Sequence, residues 1–232
     1  PIKSSAASDV YKRQPMSHMT DMLMKAWHFR HACKEFDPKK KISDADFHTI
    51  LEGGRLSPSS FGFEPWQFLV VQNHGLREKI RAVSWGAQRQ LPTASHFVVI
   101  MARKPAELDP DSPYIQDTIM RDTQHLSEDI SGPRTEKYRE FLDKDFALTG
   151  NERAGFEWAA RQCYIALGNM MTAAALLGVD SCPIEGFHKT DLEDVLARED
   201  LLDTARWGVA CMVAFGYRVR EPRAKTRRPE EA

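Results

Sequence analysis

The run FEWAARQCYIALGNMMTAAALLG, residues 156–178, is apolar around almost its whole circumference when wound at the α-helical period. A helix of that kind has little to offer water, so other elements must cover it. It reads as a central buried helix ended by Gly178, with the rest of the chain as its covering. Three shorter stretches supply buried strands: WQFLVVQ (66–72), HFVVIMAR (96–103) and WGVACMVAFGY (207–217). All three are rich in β-branched and aromatic residues. Helices are expected at 19–31, at 42–56 with Ser43 as N-cap and Gly53-Gly54 as the stop, at 74–83 and at 191–199. Between 104 and 152 the chain is charged and interrupted by DPDSP and SGP, which suits short amphipathic helices. Helices outnumber strands and few β-α-β units are evident, so an antiparallel or mixed sheet is expected.

A formal net charge of -1 over 232 residues weighs against nucleic acid as a partner. No apolar run approaches the roughly 20 residues that span a bilayer, so no membrane partner is expected. The four cysteines, Cys33, Cys163, Cys182 and Cys211, are far apart and form no C-x-x-C, which fits a reducing cytoplasm and no zinc site. His28, His48, His74, His96 and His188 lack ligand spacing, so no metal is expected. Residues 1–14 carry no apolar period and no signal-peptide core, and DVYKRQ is what a common transposon-end adaptor encodes in frame. Residues 1–15 are expected to be a non-native extension and 16–232 a single domain starting at Met16 or Met19.

Four stretches could carry chemistry, and each has a plain alternative. FRHACKEF (29–36) sets Arg30 and Lys34 one helical turn apart, as an anion site or as the solvated cationic end of a helix. RAKTRRP (223–229) is a second basic cluster or a charged tail. SPSS (57–60) offers hydroxyls and amides to a phosphate or sugar, or is simple turn chemistry. CPIEGF (182–187) lets backbone approach a ligand at Gly186, or is a tight connection.

Taken in order, R-H-x-x-K-x-F, S-P-S-S-x-x-x-x-P-W-x-F, A-S-H before a strand, the buried helix, P-I-E-G-F and a terminal K-x-R resemble the nitroreductase family of flavin mononucleotide (FMN) enzymes. The resemblance runs from about residue 22 to 228 and is to the oxygen-insensitive NAD(P)H type. It implies an α+β, nitroreductase-like fold, a mixed, mainly antiparallel sheet flanked by helices in an intertwined homodimer, with the flavin at the interface. The flavin performs the hydride transfer, so no side chain need be an acid, base or nucleophile. The implied cofactor residues are Arg30, Lys225 and Arg227 on the phosphate, with His31, Ala32, Pro58, Ser59 and Ser60 around it. Gln88 and Gln90 stand at the pyrimidine edge, and Pro183, Ile184, Glu185 and Gly186 at the N5 edge; Lys34 and Glu185 tune the flavin.

The resemblance implies that NADH or NADPH donates electrons and that small electron-poor acceptors such as nitroaromatics or quinones receive them in ping-pong, two-electron steps. A second function class is a flavin store or sensor without turnover. The resemblance also implies that Phe61, Phe63 and Trp66 are buried by the partner, and that Met170 and Ala174 lie on the helix face it covers. Ser59 and Ser60 would face the cofactor, and Tyr138 and Phe141 are lid candidates. Trp158 and Tyr164 are read as core or dimer contacts and Cys33 as a small packing residue.

Overall fold

The structure, a computed structural model, describes residues 16–229; the expected extension at 1–15 lies outside the described residues. Its α-helices are α1 (Met16–Phe29), α2 (Asp44–Arg55), α3 (His74–Ala82), α4 (Gln90–Thr93), α5 (Glu128–Glu140), α6 (Glu152–Leu176) and α7 (Lys189–Arg198). Four strands, β1 (Trp66–Val70), β2 (His96–Arg103), β3 (Asp180–Ile184) and β4 (Trp207–Gly216), form one antiparallel sheet in the order β1-β2-β4-β3. Along β2 and β4 successive side chains enter two different cores. Val98, Ile100, Val213 and Phe215 pack with α2 and α6; Phe97, Val99, Met212 and Ala214 pack with α3 and α7. Both faces are covered, which is why these strands read as continuous apolar runs rather than alternating ones.

Helix α6 is the long central element that its composition demands. The Asn151 side chain caps it by accepting from the Ala154 amide, and Gly178 leaves it in the left-handed conformation. Trp158, Cys163, Leu167, Met170 and Ala174 are buried along one stripe, whereas Tyr164, Ile165 and Leu176 on the other remain substantially exposed. Within one chain the helix is therefore covered on one side and open on the other.

Several expectations need correction. Gly53-Gly54 does not stop α2, which runs on to Arg55. A Cβ on Gly54 would lie 2.9 Å from Met170 and 3.0 Å from Phe68, so the glycine is there for close packing. Likewise SGP does not break α5, which carries Pro133 in its interior. DSCPI is a fourth strand, β3; Pro183 hid it, but β3 lies at the sheet edge, where a missing N–H is tolerated. Phe63 (0 % exposed), Trp66, Met170 and Ala174 are buried by their own chain, not by a partner. Tyr138 is no lid residue: it is fully buried and donates its hydroxyl to the Leu108 carbonyl at 2.7 Å.

Candidate active site

Helix α1 stops at Phe29, so Arg30 and Lys34 are not one helical turn apart; the chain beyond is extended. It runs beside β3, with a parallel bridge between Ala32 and Ser181 and the Cys33 amide donating to the Ser181 carbonyl at 3.0 Å. This uses the free edge of β3 and fixes the Arg-His-Ala segment against it. The C-terminal segment then crosses over, and the Lys225 ammonium donates to the Arg30 carbonyl. Arg30, His31, Ala32, Pro183, Lys225 and Arg227 together line a cleft of about 220 Å³. Burial, Arg227 and Arg30 lower the Lys225 pKa, as expected where cations crowd without an anion. Among the described residues no carboxylate forms an ion pair with Arg30, Lys225 or Arg227.

His31 sits on this cleft with its Nδ1 buried and without a hydrogen-bond partner among the described residues. Asp180 Oδ1 lies 3.6 Å away but is engaged by the Arg218 guanidinium at 2.7 Å. Burial first, and Arg218 second, lower the His31 pKa and outweigh Asp180. The reading of the sequence missed Asp180 and Arg218. They are 38 residues apart, and nothing local marks a pair that forms only when β3 meets the turn after β4.

Further along β3, Lys34 and Gln90 converge on Cys182: Lys34 Nζ donates to Sγ at 3.6 Å and Gln90 Nε2 at 3.5 Å. Cys33 is buried beside them, and burial pushes its thiol up to about 11, in keeping with a packing role. Beyond the strand, the Gly86 amide donates to the Gly186 carbonyl at 2.7 Å, and a Cβ on Gly186 would stand 2.7 Å from the Gly86 Cα. Only glycine permits that approach. The Gly186 amide has no hydrogen-bond acceptor among the described residues, so it is free to donate.

Other expected residues stand apart. Gln88 spends its amide on the Arg81 and Ser84 carbonyls, each at 2.8 Å, and Ile184 keeps its side chain in the core. Pro58, Ser59 and Ser60 line none of the clefts around Arg30 and Lys34. Instead Ser59 Oγ accepts from the Glu64 amide and the Ser60 amide donates to Gln162, both at 2.9 Å. Phe61, Gly62 and Glu64 all have positive φ, and Gln124, Arg134 and Tyr114 hold their carbonyls. The turn is thus strained and pinned, as at many functional loops. A second cavity of about 300 Å³, floored by Leu108, Tyr138 and Trp158, contains none of the expected cofactor residues.

Among the described residues no group of three His, Cys, Asp or Glu could hold a metal ion, and no helix is long and apolar enough to cross a membrane. What the cleft offers is three cations and the His31 imidazole, with Pro183 of β3 on its wall and the Gly86–Gly186 contact three residues further along the chain.

Comparison with known proteins agrees on one family. The chain is 51 % identical over 212 residues to the Bacillus subtilis (strain 168) protein provisionally named NAD(P)H nitroreductase YfkO, covering 91 % of this chain and 96 % of that one. It is 52 % identical over 217 residues to a similarly named protein of Staphylococcus epidermidis, covering 93 % and 97 %. A crystal structure from Exiguobacterium sibiricum 255-15, described as a provisional nitroreductase in complex with FMN, shares the fold with a TM-score of 0.72 at 19 % identity, covering 90 % of this chain and 94 % of that one. A model of the nitroreductase family matches residues 28–217. The chain belongs to the nitroreductase family.

Proposed function

We propose that the protein is an FMN-dependent NAD(P)H oxidoreductase of electron-poor acceptors such as nitroaromatics and quinones. The observation that carries this reading is the cleft in which Arg30, Lys225 and Arg227 crowd without a carboxylate partner among the described residues. A phosphate dianion relieves that crowding. The donor set fits the rest of the cofactor too. Arg30, Lys225 and Arg227 would hold the phosphate, with the unpartnered His31 beside it. Lys34 and Gln90 would present donors to the pyrimidine edge from their common anchor at Cys182, and the Gly186 amide would donate at the opposite edge. When bound, FMN accepts a hydride from NADH or NADPH and passes two electrons to the acceptor. The chain's own task is to bind, orient and set charge; donor and acceptor use one cleft in turn, which gives ping-pong kinetics.

The site is completed, in this reading, by a second copy. The Ser-Pro-Ser-Ser turn lies outside the cleft of its own chain and is rigidly held, so Ser59 and Ser60 would serve the partner's cofactor. Met22, Leu23 and Trp27 of α1, which packs on α6, are exposed together with Tyr164, Ile165 and Leu176 of α6. Exposed apolar side chains on two elements packed together suit a contact with another copy of the chain. Purified protein should be yellow, with about one flavin per chain, and should oxidise NADPH or NADH in the presence of a nitrofuran. Colourless protein that takes up no added FMN overturns the proposal. Bound FMN without turnover points to a flavin store instead.

A further inference from the structure

We propose that Tyr164 is a positioning residue that holds the Glu185 carboxylate and thereby raises the reduction potential of the flavin. The inference rests on the proposed FMN site. Tyr164 lies on α6 and Glu185 directly follows β3, and the Tyr164 hydroxyl donates to Glu185 Oε1. Glu185 is exposed and forms no ion pair among the described residues; Tyr164 is its side-chain partner. The neighbouring Gly186 is held from the other side by the Gly86 amide. The two residues after β3 are therefore clamped twice, by side chain to α6 and by backbone to the turn at 84–87.

The arrangement has an electrostatic consequence. Glu185 is exposed and stands two residues beyond Pro183, which lines the cleft, so its carboxylate would oppose electrons placed on a flavin bound there. A hydroxyl that donates to it draws off part of that charge and fixes where the rest lies. The hydroxyl remains a donor over the working pH range, because burial and the Glu185 hydrogen bond both raise the Tyr164 pKa. No other hydroxyl or cation among the described residues hydrogen-bonds to Glu185, so loss of Tyr164 is not made good locally.

The test is the midpoint potential of FMN-loaded protein for wild type, Tyr164→Phe, Glu185→Gln and the double variant, with FMN dissociation constants measured alongside. Tyr164→Phe keeps the carboxylate but removes its donor. It should shift the two-electron equilibrium three- to tenfold toward the oxidised form, a tenfold shift being about 30 mV. Glu185→Gln removes the charge and should shift it the opposite way. In the Glu185→Gln background the Tyr164→Phe effect should largely vanish. If the two single variants move in the same direction, or only the FMN dissociation constant changes, the contact is structural and the inference is wrong. Should Tyr164→Phe fail to fold, Glu185→Gln decides alone: a raised potential supports the inference and an unchanged one overturns it. Wild-type protein that takes up no FMN overturns the proposed function and this inference together. Wild type that loads FMN beside a Tyr164→Phe variant at wild-type potential overturns the inference alone.

Discussion

At the scale of single residues, the cations of the cleft are separable by ligand. Arg30 and Arg227 line it with Lys225 and have no carboxylate partner among the described residues. Arg30→Ala or Arg227→Ala should each weaken FMN binding by about 1.5–3 kcal/mol, the worth of a charge-assisted contact. Riboflavin, which lacks the phosphate, should lose far less; equal losses measured by fluorescence quenching would place these residues elsewhere. Glu107 tests pH dependence. It lies between Arg206 at 2.9 Å and Arg103 at 2.6 Å, and the Arg206 hydrogen bond leads in lowering its pKa. The unfolded chain therefore takes up the proton first as pH falls. The stabilisation is complete above about 4.3, the ordinary Glu value, and is lost as pH drops through the lower folded value. In urea titrations at pH 6 and pH 3, Glu107→Gln should lose less stability between the two than wild type does. Arg77 is a structural counterpart: a buried guanidinium donating to the carbonyls of Val71, Leu91 and Ala94 and to Gln72 Oε1. Arg77→Met strands those acceptors and should cost about 3 kcal/mol, seen as a lower urea midpoint at unchanged slope.

At the scale of elements, glycines mark where two pieces of backbone must touch. Helix α2 closes on α6 at Gly54, where a Cβ would meet Met170 Cγ and Sδ at 2.9 Å. Gly54→Ala gains helix propensity but overpacks a buried contact, and the second effect is the larger. An overpacking cost of about 1–3 kcal/mol less a propensity gain of about 1 leaves an expected net loss of up to about 2 kcal/mol in thermal unfolding. Gly186 against Gly86 is stricter, since the clash would be with backbone at 2.7 Å and no rotamer relieves it. Gly186→Ala should force the two turns apart, with more effect on FMN affinity than on melting temperature. A variant with unchanged FMN affinity would show that this edge does not contact the cofactor.

At the scale of the whole molecule, the buried and exposed aromatics make opposite predictions. Phe63 is 0 % exposed and stacks near Phe61 and Tyr138 inside its own chain. Phe63→Asp should unfold the protein, losing at least about 3 kcal/mol, rather than release an intact monomer. Ile165 is 41 % exposed on the open side of α6. On the proposed pairing of two copies, Ile165→Asp should leave the chain folded and shift sedimentation from dimer to monomer, with loss of flavin from the shared site. Folded Ile165→Asp protein that sediments like wild type would mean that a partner does not cover this side of α6.

Periodicity and punctuation by themselves determined that α6 is central, that 66–72, 96–103 and 207–217 are strands, and that Ser43 caps α2, because those signals are local: one face, one turn, one cap. The order of R-H-x-x-K, P-I-E-G and K-x-R was likewise legible, because spacing along a chain survives folding. Tertiary structure decided the rest. Pro183 belongs to a strand because β3 is an edge, and Gly54 lies within a helix because α6 comes close. Gln88 turns to its own backbone whereas Gln90 reaches Cys182. Asp180, Arg218 and His31 meet only when the chain after β4 folds back over α1 and β3. Each of these outcomes depends on what lies opposite a residue in space, and no window of sequence contains both partners.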